Sequence, residues 1–398
     1  MIKGLKKYTG RAHRNTRSFG GRTIRYTLLA GAAVLATVGM TGCGKDIDGT
    51  ATVAVCNDES IPLGVASLYA RYQQAQMYSF YTGYFGMAEI FDTVADEETG
   101  ATYGDTIKDD MMDSIKTMYV LKQHAADFDV TMSDENKTAI EEAAKAFMEE
   151  NDADALKEMG VSEADVAALL ELYSYQTWMY DAMIADVDQN VSDDEAAQTR
   201  VTYVKVSLDG TEQDEDGNTI PLTDEEKEEK EALAEEVLNE ILASDDAASA
   251  DMSEIAKAAD ENLTSSTLVF GYTEDDTADS AIKDAVVGLK DGEVVDHVVT
   301  SEDGNSLYVI RLEKEFDEDA TESKKSLIIS DREKEDYQEE LDSWLEAASF
   351  EIKEDIWDQV VITDQKVYTF KAEETSDSTG EDTTQDTGAA SDEDTSEE

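Results

Sequence analysis

The residue types that most often carry out chemistry are scarce in this sequence. Its 398 residues include only two Cys and three His, too few for a Cys/His zinc cluster, and we find no Ser–His–Asp order and no phosphate-binding Gly loop. The acidic stretch 212–223 has part of the spacing of a calcium loop at Asp214, Asp216 and Gly217, but Thr223 stands where that loop needs Glu. We interpret it as a solvated turn. The sequence therefore predicts neither a metal site nor a cofactor.

Cys43 is placed where a covalent modification is expected. Eight basic residues lie within the first 25 positions, and the apolar run 26–40 ends just before Met40-Thr41-Gly42-Cys43. This is the layout of a secretory signal. The run of 15 residues is short for a bilayer roughly 30 Å thick, although a membrane-spanning anchor is the alternative. The last four residues resemble the lipobox of bacterial lipoproteins, which implies cleavage after residue 42 and a lipid on Cys43.

The charge of the chain is strongly negative. Without the eight basic residues of the predicted signal, 24 Lys and Arg stand against 93 Asp and Glu, a net charge of −69. Such a surface repels phosphate backbones and anionic headgroups, so nucleic acid is excluded as a partner. Eleven of the acids follow Lys371 in a stretch with almost no apolar residue, which predicts a disordered tail.

Two different patterns lie between these ends. A short strand at 51–56 and a turn at 61–64 precede a region, 65–191, that is predicted to be helical throughout. From 201 the pattern changes to strand, long helix, short helix, strand, helix and strand, which indicates a compact α+β unit ending near 312. An acidic linker then leads to an amphipathic helix at 331–348, followed by short strands within 350–370. We expect that helix to pack on the first helical region.

This order of elements resembles the PrsA-type foldase lipoproteins and the related SurA chaperones. The resemblance covers about residues 50–370. It rests on Ala51–Cys56 before the Leu68-Tyr69 helix, Gly104-Asp105, Tyr119–Lys122, Phe270-Gly271, Leu289–Val294 and Tyr308–Arg311.

The resemblance implies a multidomain α+β chain. A signal, 1–42, is followed by an all-helical SurA-N-like chaperone domain, 43–196, and an inserted parvulin-like domain, 197–316. The segment 317–372 completes the chaperone domain, and 373–398 is the acidic tail.

The resemblance also implies positions for a peptidyl-prolyl isomerase site. Parvulins carry a His on the first strand and another on the last strand, and this sequence has Tyr at both positions. That departure implies a weak or degenerate isomerase, or aromatic residues that simply fill a small core. The candidate positions are Tyr203, Tyr308 and Asp260 for catalysis and Phe270, Ala278 and Ile282 for the proline pocket.

The implied partners are unfolded or partly folded exported proteins, met at the outer face of a membrane in a Gram-positive-type envelope. Tyr78, Tyr81, Tyr84 and Phe85 are candidates for lining a groove that holds such chains. The alternative is a non-catalytic surface lipoprotein that has kept the fold and serves one dedicated partner.

Overall fold

The computed structural model describes residues 47–210, 220–273 and 276–370, together with the backbone of 35–39. Cys43, the candidate calcium positions and the acidic tail lie outside the described residues. The chain divides into two compact units, 1–179 with 344–398, and 180–343. Helices and small antiparallel sheets are both present, which confirms the mixed α+β class.

Nine strands are described, in chain order: β1 (Leu35–Gly39), β2 (Thr52–Cys56), β3 (Glu59–Pro62), β4 (Thr199–Ser207), β5 (Ser265–Phe270), β6 (Val299–Thr300), β7 (Ser306–Lys314), β8 (Phe350–Ile352) and β9 (Lys366–Phe370).

The α-helices of the same described part of the chain are α1 (Leu63–Phe85), α2 (Tyr103–His124), α3 (Asp134–Glu150), α4 (Ala153–Met159), α5 (Glu163–Met183), α6 (Asp193–Ala196), α7 (Asp224–Ala243), α8 (Met252–Ala259), α9 (Ser280–Ala285), α10 (Glu318–Ala347) and α11 (Glu354–Trp357).

In the first unit, segments from the two ends of the sequence share one sheet and one core. β2 pairs with β3 in a hairpin and with β8 on its other edge, both antiparallel. The segment after β8 then returns into the helical core. Its apolar residues are buried together with those of α1 and α2: Trp357, Val360, Ile362, Val367 and Tyr368.

Buried side chains of α1 donate hydrogen bonds to β9 and to the residues that precede it. The Arg71 guanidinium donates to the carbonyl oxygen of Val361 at 2.7 Å and lies 4.7 Å from the centre of the Tyr368 ring. The Gln74 amide donates to the carbonyl oxygen of Lys366 at 3.2 Å. Because burial would make these carbonyls costly if unpaired, the two side chains fix the return of the chain.

β1 lies in the apolar run predicted to belong to the signal. It pairs antiparallel with β9, Leu35 opposite Phe370 and Gly39 opposite Lys366. Cleavage before Cys43 would remove this strand and leave β9 held by α1.

The second unit is built on a four-stranded antiparallel sheet in the order β5-β4-β7-β6. Side chains alternate between its faces, as strand geometry requires. Val204 and Val309 point to the face covered by α7 and α8, whereas Tyr203, Tyr308 and Ile310 point to the face covered by α9.

The stretch Leu289–Val294 forms a turn that docks on β7. Gly292 takes a φ of 84°, which favours glycine, and its amide donates to the carbonyl of Leu312 at 2.7 Å. A Cβ at this position would come within 2.9 Å of the Ala248 side chain. Packing and backbone conformation therefore both require glycine here.

Three sequence expectations differ from the structure. The region 65–191 is not helical throughout, because Gly86 ends α1 with a φ of 66° and residues 86–102 form a loop. The expected linker after 316 is instead the start of the 30-residue helix α10, since the Asp317 carboxylate accepts from the Ala320 amide. The expected turn at 61–64 is the end of β3 and the beginning of α1.

Candidate functional site

The second half of α1 extends beyond the core of the first unit. Every buried residue of this helix lies within 63–75, and none lies within 76–85. The exposed end carries large apolar side chains, with exposed fractions of 50% for Phe80, 80% for Tyr84, 61% for Phe85 and 48% for Met87 just beyond it. We call these four residues the aromatic surface.

The rings of the aromatic surface contact one another. The centroid of Phe80 lies 5.1 Å from that of Tyr84 and 5.7 Å from that of Phe85. Tyr81, half-buried beneath them, lies 5.6 Å from Phe80 and 5.9 Å from Phe85. These spacings are in the range for favourable aromatic pairs, so the rings hold one another in place while still facing solvent.

The base of this surface is fixed by hydrogen bonds. The hydroxyls of Tyr81 and Tyr103 are 3.2 Å apart, which links α1 to the first turn of α2. Burial and this hydrogen bond, with a smaller contribution from the Asp110 charge, raise the pKa of Tyr103 to about 12. The loop after α1 is held by Asp364, whose carboxylate accepts from the amides of Ile90 and Phe91 at 2.9 and 3.0 Å.

Apolar side chains that lie close together and are exposed suit an apolar partner. Aromatic rings and a Met side chain recognise shape and apolar area rather than a particular hydrogen-bond pattern, so they accept many sequences. The arrangement is therefore suited to binding apolar segments.

Two of the four candidates for a client groove lie on this surface. Tyr84 and Phe85 are exposed as a groove residue should be, whereas Tyr78 and Tyr81 pack partly against the core. Phe80 and Met87 were not predicted as groove residues. Phe80 has the helical spacing of a core residue, and only the point at which α1 leaves the core distinguishes the two roles.

The isomerase candidates fall mostly in one cluster of the second unit. The Tyr203 and Tyr308 rings meet edge to face, with centroids 5.6 Å apart. Phe270 and Ile282 are buried beside them, and Ala278 packs partly against the same cluster. Asp260 is not part of it: this residue follows α8, which covers the opposite face of the sheet, and accepts from the Asn262 amide at 2.9 Å.

Tyr308 has little access to solvent, with an exposed fraction of 8%. Burial, and then the nearby Asp279 carboxylate, raise the pKa of its hydroxyl. The group therefore remains protonated at neutral pH and could donate a hydrogen bond. Because the edge-to-face pair covers the sheet face above the paired strands β4 and β7, however, the two rings also serve as core packing.

Other kinds of site find no support in the described part of the chain. No group of three or more His, Cys, Asp or Glu in residues 47–210, 220–273 and 276–370 could hold a metal ion. Within those same ranges no helix is long and apolar enough to cross a membrane. Cys56 is buried with a free thiol, and burial raises its pKa, so it is not an activated nucleophile.

Comparison with solved structures gives similarity to two foldase proteins. PrsA from Lactococcus lactis is 11% identical, with 78% of this chain and 99% of that chain covered at a TM-score of 0.29. PrsA from Streptococcus pneumoniae is 18% identical, with 61% of this chain and 85% of that chain covered at a TM-score of 0.25. No protein-family profile and no curated protein sequence matches this chain. At such low TM-scores the function must be argued from the residues themselves.

Proposed function

We propose that this protein is a folding factor that holds unfolded exported chains at the outer face of a membrane. The observation that carries the proposal is the aromatic surface at the free end of α1. Three aromatic side chains stay exposed there, on a helix whose first half is almost completely buried, and Met87 is exposed just beyond the helix. An unfolded chain exposes apolar segments that can pack against these rings. Such packing removes both apolar surfaces from water, which lowers the free energy of the complex.

The tether in this proposal is a lipid on Cys43. It is supported by the layout of the first 43 residues: a basic start, a short apolar run and small residues directly before the Cys. A tether at this point would place the aromatic surface among chains that have just crossed the membrane.

The second unit in this proposal is a parvulin-like domain with little isomerase activity. Lowering the barrier to X-Pro rotation, roughly 18–20 kcal/mol, requires an apolar pocket that grips the proline and donors that fit the twisted amide. Here the rings of Tyr203 and Tyr308 cover the sheet face. The small Ala278 side chain also provides less apolar contact for a proline ring than a larger side chain would. The domain then serves folding mainly as a second binding module, which acts through the α9 face of its sheet.

Suppression of aggregation tests the holding function. The processed protein, which begins at Cys43, should slow the aggregation of several unrelated unfolded proteins. The double variant Phe80→Gln, Phe85→Gln should lose most of this effect. Gln keeps high helix propensity, so α1 remains folded while the apolar area is removed.

The matched control removes exposed apolar side chains from the other unit. Leu242→Gln with Leu327→Gln changes side chains with exposed fractions of 43% and 59%, close to those of Phe80 and Phe85. This control should retain full suppression. Equal loss in both variants, or suppression limited to a single client, would contradict the proposal and favour a dedicated adaptor.

A further inference from the structure

The aromatic surface is followed by a strongly acidic segment. Residues 72–107 contain no Lys or Arg, and within 86–110 there are eight acidic residues and only one cation, Lys108. All eight acidic residues are exposed: Glu89, Asp92, Asp96, Glu97, Glu98, Asp105, Asp109 and Asp110. We call these eight residues the acidic rim.

The two cations that flank this stretch offset only a small part of its charge, because Lys108 alone attracts Asp105 and Asp109 and also lies 4.0 Å from the Asp358 carboxylate. Arg71 is buried under the Tyr368 ring, and its guanidinium hydrogen-bonds the Val361 carbonyl. The Lys108 side chain is only 12% exposed and lies over the Trp357 ring, with its amine 5.2 Å from the ring centre. Burial lowers the pKa of Lys108.

The acidic rim is attached to the aromatic surface by short connections. Glu89 follows Met87 by two residues, and the Tyr81–Tyr103 hydroxyl contact joins the end of the loop to the base of the rings. The Asp110 carboxylate also acts on the base of the aromatic surface, because its charge contributes to the raised pKa of Tyr103. An occupant of the aromatic surface therefore lies in a negative potential.

We propose that the aromatic surface selects unfolded segments in which Lys or Arg accompany aromatic and aliphatic residues. The inference rests on the holding function proposed above and names the class of segment that is held. A Lys or Arg side chain bound at this place is attracted both by the carboxylates of the acidic rim and by the exposed rings of Tyr84 and Phe85. Acidic segments are repelled.

The same charge argues against a second copy of this chain as the occupant. Pairing two aromatic surfaces would bring two acidic rims together, and like charges held close in an interface oppose association. Self-association through this surface would therefore require high salt.

The test compares two labelled, unstructured peptides that share the same aromatic and aliphatic residues. One carries Lys and Arg at the intervening positions, and the other carries Glu at those positions. We expect the cationic peptide to bind the processed protein at least about tenfold more tightly. The preference should shrink strongly at 1 M salt, where the Debye length falls to about 3 Å.

Two triple variants locate the source of the preference. Glu89→Gln, Glu97→Gln and Asp110→Asn remove charges from the acidic rim and should abolish most of the preference. The control variant removes the same number of exposed charges from α3, which packs on the buried half of α1: Glu141→Gln, Glu142→Gln and Glu150→Gln. It should keep the preference.

The outcomes separate this inference from the proposed function. Equal binding of both peptides, or equal loss of preference in both triple variants, would overturn charge selection by the acidic rim and leave the holding function standing. Binding of neither peptide, together with no suppression of aggregation, would overturn both. Binding that is lost in the Phe80→Gln, Phe85→Gln variant and biased towards the cationic peptide would support both.

Discussion

Phe80 and Phe85 occupy positions where a surface helix usually presents polar side chains to water. Full burial of a large apolar side chain stabilises a fold by about 1.5–3 kcal/mol, and an exposed side chain lacks this stabilisation. Several such side chains are exposed within ten residues of the first unit, whereas residues 63–75 of α1 are almost completely buried. The exposed rings are therefore available to stabilise a complex.

The tyrosine pair of the second unit supports a prediction about catalysis. We expect turnover of short X-Pro peptides at least about 100-fold below that of an active parvulin, a loss of about 2.7 kcal/mol of transition-state stabilisation. The physical reason is that Tyr308 is buried against Tyr203 and Asp279 rather than open to a proline. A protease-free isomerase assay on the full chain measures it.

The variants Tyr203→Phe and Tyr308→Phe are the controls for that assay. Each removes only a hydroxyl group, so packing is retained and the residual rate should not change. Robust turnover that either substitution abolishes would show that the tyrosines are the catalytic donors.

At the scale of elements, the segment from β8 to β9 makes the first unit depend on both ends of the sequence. Trp357 has an exposed fraction of 2% and contacts the core shared with α1 and α2. Trp357→Ala should lower the free energy of unfolding of that unit by about 3–5 kcal/mol, through lost burial and the cavity left behind.

Val361 provides the matched control in the same segment. Its side chain is 55% exposed, so Val361→Ala should change the free energy of unfolding by no more than about 0.5 kcal/mol. Urea unfolding followed by far-UV circular dichroism measures both variants. Identical midpoints for Trp357→Ala and the wild type would show that the return segment does not complete the helical unit.

Local chemistry made several elements predictable from the sequence. The long helix expected after the first strand is α7, which begins at a capping box with the Thr223 hydroxyl accepting from the Glu226 amide, and the strand expected from 201 is β4. The loop 86–102 was missed, because its ends depend on left-handed glycines and on long-range bonds to Asp364. The continuous α10 was missed because its acidic first half has the composition of a linker.

The candidate sites differ in how far sequence could predict them. Residue alternation puts Tyr203 on one face of its strand and Tyr308 on one face of another, but only the resemblance predicted that the two side chains would meet. The placement of Asp260 could not be predicted, since it depends on which sheet face α8 covers. The exposure of Phe80 likewise depends on where α1 leaves the core, and nothing in its local spacing encodes that.

For the whole molecule, the proposed tether gives a prediction that is independent of binding. Intact-mass analysis of protein extracted from membranes should show a chain that begins at Cys43 and carries an acyl adduct. Cys43→Ser should release the protein or leave an uncleaved precursor, because the thioether requires sulfur. A membrane-bound chain that still begins at Met1 would contradict the lipid anchor.

Site-specific crosslinking tests the central claim most directly, because it shows which side chains an unfolded chain touches. A photoreactive residue is placed at Tyr84 on the aromatic surface or at Leu327 on α10, whose exposed fractions are 80% and 59%. With a chemically unfolded exported protein, the account predicts abundant adducts from position 84 and few from position 327. Adducts at 84 should also fall when Phe80 and Phe85 are replaced by Gln. Equal adducts from both positions, or none from position 84 while aggregation is still suppressed, would contradict it.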